Sequence, residues 1–339
     1  GVSFVGCVET ATGDRPVIGP DGSLPSLGNG VFAAGGDGLT FQSLSVFDWG
    51  SNGVFVTGAD GVVFRDIYGH GGTEFSTYAV FPVSSENILV EGCFVTNVDD
   101  AGIYVGSSND YTIRWNLVTD SVAGIEVENS FNTRTHNNES YGNTGGLLTF
   151  MLLGPPQAAS FNNDADHNVL VENNTPNFGS GSVGAVPDGS GYVIVATDDS
   201  EYTYNYIAGN NSSGIAVVDQ LIFSILSEDP GDCCSFSCES GGVPSGVPCT
   251  TNADCSGAET CENQQENVRN LYANNILDNN GASIDPDLIG VVPDNTQNVM
   301  IISGPPDHNN CFAQNTLIVP PAVDATLAET FIPDNDCTP

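Results

Sequence analysis

The octapeptide AGIYVGSS at Ala101–Ser108 returns 22 residues later as AGIEVENS at Ala123–Ser130. The echo extends along much of the chain. Related tetrapeptides begin at Gly30 (GVFA), Gly53 (GVFV), Ala79 (AVFP), Gly102 (GIYV), Gly124 (GIEV), Gly146 (GLLT), Gly191 (GYVI) and Gly214 (GIAV), in steps of 23, 26, 23, 22, 22, 45 and 23 residues. A second column, out of phase with the first, begins at Gly1, Gly38, Gly61, Asn87 and Asp110. So short and regular a period requires a stack of similar units rather than unrelated elements folded into a ball. The step of 45 reads as two periods with one degenerate turn between them.

Within each tetrapeptide the second and fourth residues are nearly always aliphatic while the third varies, the alternation of a strand with one face inward. The regular Leu and Asn frame of leucine-rich repeats is missing, and no 3.6-residue periodicity is sustained. The expected fold is all-β: a right-handed parallel β-helix of about 22–23 residues per coil, each strand pairing its backbone with the coils on either side. Coils are expected over 1–221, a Cys-rich insertion over 222–267, and final coils with an irregular C-terminal segment over 268–339.

The stretch ENILVEGCFVTNVDDAGIYVGSSNDYTIRWNLVTDSVAGIEVENS, with NTGGLL after it, resembles the right-handed parallel β-helix repeat proteins of secreted bacterial type, relatives of the pectin-lyase-like fold and more distantly of mannuronan epimerases. The resemblance runs from about Gly30 to Gly154 and fades beyond Ser224. It implies the fold. It leaves function to the site, since the group includes lyases, hydrolases, epimerases, tailspikes and adhesins. The Asp-Pro-His-Asp signature expected of mannuronan epimerases is absent.

Charge excludes one large class of function. The chain has no lysine and five arginines (Arg15, Arg65, Arg114, Arg134, Arg269), giving a formal charge of -37. Such a field repels nucleic acid and anionic headgroups. No apolar run approaches the ~18 residues needed to span a bilayer. Six of the ten cysteines, Cys233, Cys234, Cys238, Cys249, Cys255 and Cys261, fall in one stretch rich in Gly, Ser and Pro. Such a stretch builds no core, so disulfides are expected there, ahead of zinc, with Cys311 and Cys337 tying down the C-terminal segment. An oxidising, extracellular or cell-surface location follows. Cys7 and Cys93 share a column with Leu44 and Ile67, too far apart to bond, and are expected to be buried apolar residues. That column continues approximately through Asn116, Asn138, Asn174 and Asn274, an expected asparagine ladder.

The third positions of the main column, Phe32, Phe55, Phe81, Tyr104, Glu126, Leu148, Val193 and Ala216, face outward. The four aromatics form a stripe suited to stacking sugar rings or a protein partner, unless a loop or the C-terminal ATLAETFIP covers it. Glu126 and Glu128 follow on the same face, with Asp100, Asp99 and Asp120 in the turns leading in. They are candidates for acid and base in glycoside hydrolysis, or for Ca²⁺ ligands; the alternative is a solvated acidic face. Arg65, Glu91, Arg114 and His136 share a column of the second strand set, a salt-bridge ladder or the flank of a site. Asn138, Asn173, Asn210 and Asn211 match glycosylation acceptors.

Two functions fit. One is an extracellular scaffold or matrix protein, non-catalytic, that binds glycan or a surface protein along the aromatic stripe and associates with itself through unpaired end rungs into fibres. The other is a polysaccharide hydrolase, lyase or epimerase using Glu126, Glu128 and Asp100.

Overall fold

The computed structural model describes residues 1–7, 14–19, 28–72, 76–152, 156–157, 159–218, 236–240, 243–248, 260–263, 269–281, 283, 285, 297–302 and 311–318. Its strands coil as a parallel β-helix. One face is a nine-strand sheet built from Val31–Ala34, Asn52–Thr57, Tyr78–Val83, Ala101–Gly106, Ala123–Glu128, Gly145–Phe150, Ser190–Val195, Ser213–Val218 and Gln297–Ile302. The remaining wall is an 18-strand sheet to which a typical coil contributes a six-residue and a three-residue strand, such as Asn109–Arg114 and Leu117–Thr119. All pairings within both sheets are parallel, and Ile103 lies beside Ile125 and Tyr104 beside Glu126, as the repeat requires.

Inward residues form continuous columns: Val54, Val80, Ile103, Ile125, Leu147, Tyr192 and Ile215 on one line, all fully or almost fully buried. Each such aliphatic side chain stabilises the fold by roughly 1.5–3 kcal/mol. The glycine that opens many of these strands has a steric cause. At Gly124 a Cβ would stand 2.5 Å from the carbonyl oxygen of Gly146 on the next rung.

Asparagines hold the turns. Asn116, Asn138, Asn168, Asn205, Asn275 and Asn315 occupy one turn of successive coils; the Asn116 side-chain oxygen accepts from the backbone N–H of Cys93, and each of the others from that of the asparagine before it, at 2.9–3.1 Å. A second ladder runs through Asn143, Asn173, Asn210 and Asn280. Asn116 and Asn138 are thus ladder residues as expected, while Asn174 and Asn274 are not. The ladder steps 30 residues from Asn138 to Asn168, because that coil carries extra residues, and then on to Asn205 and Asn275. Asn138, Asn173 and Asn210 are buried and bonded, which removes them as glycosylation acceptors. Cys93 is buried and free, as expected; Cys7, also free, is exposed rather than buried, on the first rung of the described residues.

The step of 45 residues is one coil. Gly145–Phe150 pairs directly with Ser190–Val195, with no rung between. The extra residues leave the wall in two excursions, one between Phe150 and Phe161 and one between Val171 and Ser190. The second contains the 3₁₀ turn Gly181–Ala185, organised by Asn177, whose side-chain N–H groups donate to the carbonyls of Val183 and Val186. The first is clasped by Asn129, which accepts from the Leu152 N–H at 2.7 Å and donates to its carbonyl at 2.8 Å.

Between Val218 and Leu271 the described segments form a three-stranded antiparallel sheet of Phe236–Ser240, Val243–Pro248 and Thr260–Asn263, in which Cys238 lies opposite Cys261 in register. Cys233, Cys234, Cys249, Cys255 and Cys337 lie outside the described residues. Cys311 is disulfide-bonded.

Candidate functional site

Outward side chains of the nine-strand sheet form two regions that meet at Tyr104. On one side the rings of Phe32, Phe55 and Phe81 touch rung on rung, Phe32 tilted against Phe55 with centroids 5.1 Å apart and Phe55 stacked on Phe81 at 4.7 Å. Phe81 then meets Tyr104 edge-on at 5.0 Å, and Tyr78 packs against both. Exposure falls along this line. Phe32 is 56% exposed, Phe55 and Phe81 are partly exposed, and Tyr104 is 7% exposed.

On the other side the outer face is covered. Leu148, Phe150, Val193, Val195, Ala216 and Val218 form a second apolar cluster together with Met151, Leu152, Val183 and Val186, which the two excursions supply. Tyr104 and Ala101 belong to it as well. Segment 172–189 also reaches the turn before Ala123, since a Cβ on Gly179 would meet Val122 and the carbonyl oxygen of Asp99.

Glu126 and Glu128 lie at this boundary, 2% and 9% exposed. They are therefore not a solvated acidic face, the cover having come from residues far along the chain. The carboxyl groups of Glu126 and Glu128 lie close enough to perturb one another, as do the Tyr104 hydroxyl and Glu128, and the Tyr78 hydroxyl and Asp100. Burial pushes the Glu126 carboxyl well above its ordinary range, helped by the charges of Asp100 and Glu128. Burial also brings Asp100 and Glu128 up to about 7, against the opposing hydrogen bonds from the two tyrosines. Among the described residues no donor reaches Glu126 Oε2. At neutral pH the group holds protons in common, and these belong to the cluster rather than to one residue.

Among the described residues no three His, Cys, Asp or Glu side chains converge as a metal site, so Asp99, Asp100 and Asp120 do not assemble one. The face joins Tyr104, Glu126 and Glu128 but leaves Phe32 several rungs away. Tyr78 escaped the sequence reading because it occupies the first position of its strand, where neighbouring rungs carry Ala101 and Ala123. On the opposite wall Arg65, Glu91, Arg114 and His136 do occupy one column, with Glu91 bonded to Arg65 at 2.5 Å and to Arg114 at 2.8 Å.

This geometry is that of a right-handed parallel β-helix protein. A family model described as a right-handed β-helix region matches residues 24–175. Among solved structures the chain is similar to the A-module of the mannuronan C-5 epimerase AlgE6 of Azotobacter vinelandii, at 13% identity and a TM-score of 0.52, over 84% of this chain and 61% of that one. It is also similar to the tailspike of E. coli bacteriophage HK620 in complex with a pentasaccharide, at 11% identity, TM-score 0.49, over 85% and 45%. A third is the periplasmic alginate epimerase AlgG, at 13% identity, TM-score 0.46, over 94% and 67%. The chain spans 61% and 45% of the lengths of the first two, and at these identities the likeness is one of fold. No curated protein matches the sequence.

Proposed function

We propose that the protein is an extracellular, non-catalytic glycan-binding β-helix whose Phe32–Phe55–Phe81 stripe takes a neutral polysaccharide chain running along the solenoid axis. The carrying observation is the unbroken contact of three outward phenyl rings on consecutive rungs, open to solvent at the Phe32 end. Aromatic faces one rung apart, about 4.8 Å, present sugar rings with a regular apolar track, and exposed rows of this kind are avoided where nothing binds. The burial of Glu126 and Glu128 at the covered end of the track supports a non-catalytic role. The bonded Cys311 supports an oxidising compartment. Among the described residues no helix is long and apolar enough to cross a membrane.

Isothermal titration against a panel of neutral and acidic oligosaccharides tests this reading. A neutral oligomer is expected to bind without release of reducing ends or unsaturated products, and Phe55→Ala is expected to weaken it at least tenfold. Turnover of any oligomer that Glu126→Gln abolishes would replace this reading with the enzymatic one.

A further inference from the structure

The turns that carry the first asparagine ladder present an unusual row of residues. Immediately before Asn116, Asn138, Asn168 and Asn205 stand Trp115, Asn137, His167 and Tyr204, on four successive coils. All four adopt the left-handed conformation, with φ of 55°, 55°, 54° and 56°. Gly92 and Asn274 occupy the same place on flanking coils, residues that accept this backbone readily. Tryptophan and tyrosine do so less readily, and each carries a strain that the turn alone gives no reason to keep.

Their rings point outward. Trp115 is 57% exposed, whereas Trp49, the only other tryptophan, is buried in the core. The rings of His167 and Tyr204 stack at 5.3 Å and 16°, and the Arg114 guanidinium lies 4.3 Å from the centre of the Trp115 ring. Three of the five cations border this row. Arg65 and Arg114 share Glu91, and Arg134 shares Asp166 with His167. His136 sits beside Arg114 in register. Together they balance Glu91, Asp164 and Asp166 locally, in a molecule whose formal charge is -37.

We infer that this ridge is a second glycan site, separate from the phenylalanine stripe, and that its occupant is an acidic oligosaccharide. The row is one residue wide and three rungs long, roughly 14 Å from Trp115 to Tyr204 at about 4.8 Å per rung, which suits a single extended chain and is too narrow for a protein face. Ring stacking holds the sugars, and the unengaged N–H groups of Arg114 and Arg134 address carboxylates. At physiological salt the Debye length is about 8 Å, so the distant acidic surface is screened while these contacts act at full strength.

Trp115 is a built-in reporter. At physiological salt a galacturonate oligomer is expected to change the tryptophan fluorescence saturably, while a neutral glucose oligomer of equal length leaves it unchanged. By calorimetry, Trp115→Gly and Tyr204→Ala should each weaken the acidic oligomer at least tenfold, and Phe55→Ala should not. Because glycine suits the backbone at position 115, Trp115→Gly should also leave the melting temperature undiminished, which separates a ring kept for binding from one kept for folding. The inference is overturned by no fluorescence response to the acidic oligomer, by equal response to the neutral one, or by a Trp115→Gly protein that melts lower yet binds as before.

Discussion

The phenol of Tyr104 folds along its own strand and lies directly over Gly106, so that its hydroxyl reaches Glu128, the residue paired with Gly106 on the next rung. Only a residue without a Cβ leaves that space. Gly106→Ala is therefore expected to displace the ring, strip Glu128 of its donor and lower stability by about 1–3 kcal/mol. Denaturant unfolding of the variant and of Tyr104→Phe compares the two losses. If Gly106→Ala unfolds at the wild-type midpoint, the ring does not rest there.

The carboxyl cluster sets a pH dependence with a definite sign. Asp100 and Glu128 are held up to about 7 and burial raises Glu126 as well, so between the unfolded values near 4 and about 7 the folded state binds more protons than the unfolded state. The cluster's stabilisation is complete below pH 4 and is lost as pH rises, at roughly 1.4 kcal/mol per pH unit for each group still protonated. Glu126→Gln removes one titrating member while keeping the shape. It should flatten the fall in unfolding free energy between pH 5 and 7 and stabilise the protein at pH 8 relative to wild type. An unchanged slope would show that the cluster ionises freely in the fold.

Asn138 makes four bonds inside the ladder: it donates to the Ile113 carbonyl and to Asn168, both at 3.0 Å, and accepts from the backbone and side chain of Asn116. Asn138→Ala leaves these partners buried and unpaired, at a cost of about 3 kcal/mol. Asn174→Ala, one turn away and outside the ladder, should cost less than about 1 kcal/mol. Thermal melts of both variants check the difference.

Thiol chemistry separates Cys7 from Cys93, the free cysteines among the described residues. Burial pushes the Cys93 thiol up to about 12, whereas Cys7 is exposed. Under native conditions an alkylating reagent should label Cys7 and spare Cys93, and both should react in denaturant. Peptide mapping by mass spectrometry reads this out; native labelling of Cys93 would mean that its coil opens.

The repeat made most of the wall legible, because each coil repeats the same inward choices: the alignment of Ile103 with Ile125, or of Phe32 with Phe55, follows from residue spacing alone. The coil between Gly146 and Gly191 was misread because its extra residues happen to number about one period. The ladder step across that coil, 30 residues from Asn138 to Asn168, likewise departs from the period. The burial of Glu126 was not legible at all. It depends on Val183 and Val186, which lie outside the repeat and carry no periodic signal. Outward orientation follows from alternation, but exposure depends on what else in the chain folds over that face.

The most direct test of glycan binding along the phenylalanine stripe is calorimetric titration with a series of neutral oligomers of increasing length. Affinity should rise with each added sugar until the chain spans the Phe32, Phe55 and Phe81 rings, then level off, and Phe55→Ala should abolish the rise by breaking the track at its centre. Affinity independent of length, or a length series untouched by Phe55→Ala, would contradict it.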